Sequence, residues 1–246
     1  IGMFCPNGDY RVAPIESLNI LGYEVKDTNM ILSLIPKNGV VFDIGANMGW
    51  YSLIIAKQNK NLKVYSFEPI PKTFSFLQKN VNFNKLENIY LHNFGFSDET
   101  KDLVFYTYPE GSGNASSVNL TKRNDVESIT CSVKRLDDFA SSNKLKVDFI
   151  KCDVEGAELL TFLGARETIA FYRPVIFTEM LRKWSAKFDY HPNEIIDLFA
   201  SMGYRCFYAM GNSLKSILKM TNETEETNFF FLHSEKHFNL INKFSN

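Results

Sequence analysis

From Val40 to Gly49 the chain reads Val-Val-Phe-Asp-Ile-Gly-Ala-Asn-Met-Gly, which sets Gly45 and Gly49 four residues apart directly after an apolar run. Glycine has no Cβ and tolerates positive φ, so backbone at such a bend can approach a ligand closely. Glu68 follows 19 residues past Gly49, at the end of the next apolar run, where a carboxylate can accept hydrogen bonds from the 2′- and 3′-hydroxyls of a ribose. A glycine pair alone is equally well a tight turn with no ligand; with Glu68 it favours an adenosine-containing cofactor. The dinucleotide fingerprint G-x-G-x-x-G is absent because position 47 is Asn, and the bend lacks the Lys and Ser/Thr of a triphosphate loop. S-adenosylmethionine, which has no phosphate to cradle, remains. Asp43 lies inside the apolar run and is costly to bury without partners. It reads either as a carboxylate satisfied by N–H groups of its own turn, or as the group that organises the turn and faces the cofactor's ammonium.

A second constellation is the run Asp148-Phe149-Ile150-Lys151-Cys152-Asp153-Val154-Glu155-Gly156-Ala157-Glu158, which brings three acids to the end of a buried strand. Ligands of open parallel α/β sheets bind at that edge. Asp153 and Glu155, two apart, share a direction in extended geometry, and Glu158 falls near the first turn of the next helix. One reading makes Glu155 and Glu158 a helix N-terminal charge arrangement. The other makes Asp153 or Glu155 a general base beside an acceptor hydroxyl, or makes Asp153, Glu155 and Glu179 ligands for a hard dication such as Mg²⁺. Glu179 ends the next strand and is either a member of that pocket or a surface acid. His92, at the end of a third strand, is an outside candidate for the base, although a lone histidine there more often belongs to the core.

These groups need a scaffold that delivers strand ends to one edge, and the hydrophobic pattern supplies it. Strands at Val40–Ile44, Lys63–Phe67, Ile89–Phe94, Val147–Cys152 and Pro174–Glu179 alternate with helices near Trp50–Lys57, Lys72–Asn82, Gly156–Phe162 and Pro192–Met202. That alternation predicts parallel strands joined by crossover helices. In the Trp50 helix Leu53, Ile54 and Ala56 are the expected buried positions. Residues 102 to 135 break the rhythm with β-like segments around a Gly- and Ser-rich loop, predicting a β-hairpin insertion before the fourth strand, with Gly111 to Ser117 as a lid. Tyr204–Met210 and Asn228–His233 read as a closing antiparallel pair at one edge. Tyr106, Tyr108, Trp184, Phe188 and Tyr190 fall in irregular regions and suit stacking on a sugar ring or closing over the pocket.

With 246 residues and 45% hydrophobic content, one large α/β domain is expected: an N-terminal segment 1–36, a cofactor-binding core 37–180 and a C-terminal part 181–246. A formal net charge of −1 gives no pull toward nucleic acid or an anionic membrane. No apolar run has a membrane-spanning length, and the four scattered cysteines suggest neither a zinc site nor a disulfide framework, which favours a cytoplasmic setting. The chain opens Ile1-Gly2-Met3, which leaves open processing, a trimmed chain or a domain excised from a longer one.

The chain resembles the FkbM-type methyltransferases through VVFDIGANMGWYSL (Val40–Leu53), SFEPIP (Ser66–Pro71), HNFGFSD (His92–Asp98), RLDDF (Arg135–Phe139) and DFIKCDVEGAELLTFLGA (Asp148–Ala165). The resemblance implies a Rossmann-like class I α/β fold, with a seven-stranded, mostly parallel sheet, an antiparallel last strand and helices on both faces. It places Asp43, Gly45, Asn47 and Gly49 at the methionine end of S-adenosylmethionine, Glu68 with Pro69 at the ribose, and Asn93, Phe94, Gly95 and Ser97 near the adenine. Asp153 would border both cofactor and acceptor, with Glu155 and Glu158 beside the acceptor. The expected reaction is in-line attack on the sulfonium methyl by a hydroxyl of a glycan or other small molecule. A nucleic-acid methyltransferase and a non-catalytic binding module are the competing classes.

Overall fold

The computed structural model describes residues 1–5, 24–108, 111–119 and 126–245. Residues 6–23, most of the expected N-terminal segment, and Glu110 lie outside the described residues. Helix α1 (Val25–Leu34) precedes β1 (Gly39–Ile44), α2 (Trp50–Gln58), β2 (Leu62–Phe67), α3 (Pro71–Phe83) and β3 (Ile89–His92). Four strands follow, β4 (Gly95–Phe96), β5 (Lys101–Tyr108), β6 (Gly111–Ser116) and β7 (Glu127–Lys134). The α/β rhythm resumes with α4 (Leu136–Ser142), β8 (Val147–Cys152), α5 (Glu158–Leu163), α6 (Arg166–Tyr172) and β9 (Val175–Glu179). Closing the chain are α7 (Arg182–Ser185), α8 (Asn193–Ser201), β10 (Tyr204–Met210), β11 (Ser213–Ile217), β12 (Asn228–His233) and α9 (Phe238–Phe244).

The main sheet has the order β11-β10-β12-β9-β8-β1-β2-β3. Strands β3, β2, β1, β8 and β9 are parallel, as strands joined by crossover helices must be, and β12 runs antiparallel to both β9 and β10. Successive residues of the central strands point to opposite faces. Phe42 and Ile150 pack on one face against Leu136, Phe162, Ile169 and Phe199, whereas Val41 and Phe149 pack on the other against Ile31, Leu34, Ile55 and Ile241. The expected helices on both faces are present. In α2 Leu53 and Ala56 are buried as expected, while Ile55 is buried in place of the expected Ile54, which is half-buried.

Three expectations change. Among the described residues the main sheet has eight strands, because Ser213–Ile217 pairs with β10 at the edge; β12 is threaded between β9 and β10, away from the edge. Its sequence Asn-Phe-Phe-Phe-Leu-His is apolar on both faces and suits an interior strand. The third strand stops at His92, and Gly95–Phe96 joins a separate four-stranded sheet, β4-β7-β5-β6. The insertion is thus larger than a hairpin, and Gly111–Ser116, expected as a lid loop, is a strand paired with β5.

The C-terminal helix is anchored by buried histidines. The His233 N–H donates to His237 Nδ1 at 2.9 Å, and burial pushes His237 down to about 4 from an ordinary 6.5. A folded-state value below the unfolded one means the unfolded chain binds the extra proton, so this contribution is present above pH 6.5 and is lost as pH falls toward 4. Thermal melts of the wild type and of His237→Asn, which keeps an acceptor near Nδ1 but cannot titrate, should diverge over that window. The variant is expected to lose up to about 3 kcal/mol less stability on acidification. Parallel curves would remove His237 from the acid response.

Candidate active site

The centre of the sheet carries an ion pair. Register between β1 and β8 sets Asp43 beside Lys151 and Ile44 beside Cys152. Asp43 is fully buried and Lys151 is 3% exposed. Lys151 Nζ lies 3.4 Å from Asp43 Oδ1, and Ser52 Oγ donates to Asp43 Oδ2 at 2.5 Å. The ammonium also donates to Gly45 O at 2.8 Å and Ile44 O at 3.4 Å, and stands 3.7 Å from Asp153 Oδ2. Burial pulls it toward the neutral form, but Asp43 and Asp153 more than offset this, holding it above the ordinary lysine range and therefore charged. Asp43 accordingly organises the turn from beneath, through side-chain partners, and does not line the cleft.

Above this pair the chain bends at Gly45, whose φ is +70°. A Cβ there would fall 1.8 Å from the carbonyl oxygen of Asp153, so the turn after β1 and the loop after β8 are in backbone contact. The Asp153 N–H donates to Ile44 O at 3.1 Å and completes the seam. Glu68, just past β2, is 6% exposed; Oε2 accepts from the Asn47 N–H at 3.0 Å and Oε1 from the Ile70 N–H at 2.9 Å. Burial raises Glu68 to about 7 despite those two donors.

A cleft of about 760 Å³, counted to its open mouth, lies over these strand ends. Gly45, Asn47, Glu68, Pro69, Gly95 and Ser97 line it, together with Asp153 and Glu155. It sits at the C-terminal edge between β1 and β8, where the chain direction across the sheet reverses, the usual ligand position in open α/β sheets. The insertion supplies a wall that the sequence reading missed, Leu103 and Phe105 of β5 with Val133 of β7. Alternating β segments announce a sheet, but not which face will meet the cleft.

The loop after β8 holds the acids under constraint. Glu155 has φ +54° and Gly156 φ +103°, and a Cβ on Gly156 would meet Trp184 O and Phe188 at 2.9 Å. Glu158 Oε1 accepts from the Val154 and Gly156 N–H groups at 3.0 and 3.1 Å, and Tyr190 OH donates to Gly156 O at 2.9 Å. Ser116 Oγ, on β6, donates to Glu155 O at 3.0 Å. Glu158 is thus the buried brace of the loop and does not line the cleft; Trp184, Phe188 and Tyr190 pack behind the loop. Asp153, Glu155 and Glu179 converge, with one ligand atom from each within 4.8 Å of the others. Burial, followed by the neighbouring carboxylates, raises Glu155 to about 10 and Glu179 to about 9.

Other candidates lie elsewhere. His92 stacks on Phe67 with centroids 5.1 Å apart and meets Phe139 edge-on, in an aromatic cluster that lowers its basicity by burial, and it does not line the cleft. Phe94 joins that cluster and Phe96 takes its place at the cleft wall. Asn93 donates to Glu68 O and Pro69 O at 2.8 and 3.0 Å, fixing the turn after β2 from outside. Gly49 precedes α2 and does not line the cleft. The sequence reading also passed over Lys151, whose signal was a lysine inside an otherwise apolar strand.

Comparison with known proteins gives matches over the same elements. A family model described as the methyltransferase FkbM domain matches residues 43–206. Methyltransferase 1 of Beauveria bassiana is 29% identical over 52% of this chain and 59% of its own length. The 2-O-methyltransferase NoeI of Sinorhizobium fredii is 28% identical over 63% of this chain and 69% of its own. The solved structure of methyltransferase FkbM from Methylobacillus flagellatus aligns with TM-score 0.51 at 18% identity, covering 81% of this chain and 45% of that one. The chain thus spans under two thirds of the Beauveria relative and under half of the solved chain.

Two measurements test the cleft. Gly45→Ala should destabilise the fold by roughly 2–4 kcal/mol in denaturant melts, because positive φ and the Asp153 carbonyl both oppose the methyl group; wild-type stability would mean the seam yields. Affinity for S-adenosylhomocysteine should rise roughly tenfold from pH 6 to 8 as Glu68 ionises and becomes the stronger acceptor for ribose hydroxyls. Glu68→Gln should bind more weakly and without that slope, and an unchanged slope in the variant would assign it to another group.

Proposed function

The chain belongs to the FkbM methyltransferase family, and from that premise we propose that it transfers the methyl group of S-adenosylmethionine to a hydroxyl oxygen of a glycan or other small-molecule scaffold. The observation that carries this reading is the meeting, in one cleft, of a ribose-type carboxylate, Glu68, with the acids Asp153 and Glu155. The residues fit the cofactor: Glu68 is a buried acceptor, and it shares the cleft with the Gly45–Asn47 bend and with Gly95 and Ser97. Bound there, S-adenosylmethionine supplies an electrophilic methyl on a positively charged sulfur.

The protein's part is alignment and proton acceptance. The apolar wall of Leu103, Phe105 and Val133 excludes water from one side of the cleft. Burial and then the neighbouring carboxylates shift Glu155 toward its protonated form, which makes it a poorer resting base than Asp153. Asp153, paired with the Lys151 ammonium, is the carboxylate that takes the acceptor's proton. Oxygen as the receiving atom is supported by a relative named as a 2-O-methyltransferase and by this carboxylate at the cleft. A second reading rests on the convergence of Asp153, Glu155 and Glu179: the three would hold a hard dication such as Mg²⁺, which would supply a charge to bind and activate the acceptor oxygen.

A screen of methyl transfer across nucleotide sugars, glycan oligosaccharides and RNA, with and without EDTA, tests these assignments together. Transfer to a sugar hydroxyl is expected, and transfer to RNA alone would overturn the acceptor class. Inhibition by EDTA that added Mg²⁺ reverses would select the metal reading, and indifference to EDTA would remove it. Asp153→Asn should lower turnover by about 10²–10⁴-fold while S-adenosylhomocysteine binding persists; normal turnover would exclude Asp153 as the base.

A further inference from the structure

Beneath the cleft, Lys151 contacts both the bend after β1 and the loop after β8, and its ion pair with Asp43 accounts for only part of what it touches. The shortest of its contacts is the 2.8 Å hydrogen bond to the carbonyl of Gly45, the residue at which the chain bends into the cleft. It also donates to Ile44 O at 3.4 Å, and on its other side it faces Asp153 Oδ2 at 3.7 Å. A counter-charge for Asp43 alone would need none of these three. Asp153 Oδ1 is buried and accepts no hydrogen bond among the described residues, so no donor but the ammonium is seen holding this carboxylate's side chain.

We infer that Lys151 is a positioning residue for the cofactor, joining the bend at Ile44–Gly45 to the Asp153 carboxylate so that both present a fixed surface to the adenosyl sulfonium. The inference rests on the reading of the cleft as an S-adenosylmethionine site, and no acceptor need be known to test it. A freely rotating carbonyl at Gly45 would spread the bend over several conformations, each of which the ligand would have to reorder on binding. An ammonium with three donors on one stem satisfies the two carbonyls and reaches the carboxylate, a division that a planar guanidinium cannot reproduce.

The test is calorimetry with S-adenosylhomocysteine on two variants of the whole chain. Lys151→Met alone would strand the buried Asp43 charge and is expected to fold poorly. The double variant Lys151→Met with Asp43→Asn removes both charges, and Lys151→Arg keeps the charge but changes the donor geometry. Both should bind S-adenosylhomocysteine at least tenfold more weakly than the wild type while melting cooperatively, since lost packing alone would lower the melting temperature without changing the affinity of the folded fraction. Wild-type affinity in either folded variant would show Lys151 to be merely the counter-ion of Asp43. Absence of binding by the wild type itself would instead strike the cofactor reading.

Discussion

Placing a lysine and an aspartate side by side in the middle of an apolar sheet removes both charges from water, and the structure repays that cost only where the geometry is right. Losing one partner of such a pair costs about 3–5 kcal/mol. Here the pair lies at the register position that joins β1 to β8, so the two strands whose ends build the cleft cannot slip without separating Asp43 from Lys151. Ser52, from α2, donates to the same carboxylate and shares its hydroxyl with Ser66 of β2 at 2.6 Å. One buried charge pair thereby ties three strands and a helix at the level where the ligand surface begins.

Above that level the loops are held by hydrogen bonds and close backbone contact. The seam between Gly45 and Asp153 leaves no room for a side chain, and Glu158 with Tyr190 secures the loop in which Glu155 takes a left-handed conformation. Such a conformation costs about 1–3 kcal/mol for a non-glycine residue and persists where the surroundings over-determine it. The result is a cluster of largely buried carboxylates, with Glu155 and Glu179 raised first by that burial and then by the neighbouring carboxylates, Asp153 foremost. Proton occupancy in that cluster is a property of the fold, because each side chain alone would be an ordinary surface acid.

The second sheet changes the cleft's character. Without it the strand ends would open to solvent on the side of Gly95 and Ser97; with it, Leu103, Phe105 and Val133 face the same space as Glu68. Ser116 then fastens this sheet to the loop that carries Glu155, so the wall and the acids are linked mechanically.

Local pattern determined much of this in advance. Apolar runs of strand length alternating with helical stretches required a largely parallel sheet, and a glycine bend followed one strand later by an acid picked out two residues that line one cleft, because those signals depend on neighbours along the chain. The D-V-E-G-A-E run likewise announced a carboxylate site at the end of β8. Tertiary structure decided which acid does what. Glu158 turned inward to brace its own loop, Asp43 found a lysine 108 residues away in sequence, and His92 was absorbed by an aromatic cluster. It also placed β12 inside the sheet and set the insertion against the cleft, since strand order and packing face follow from contacts between distant segments, which hydrophobic periodicity does not encode.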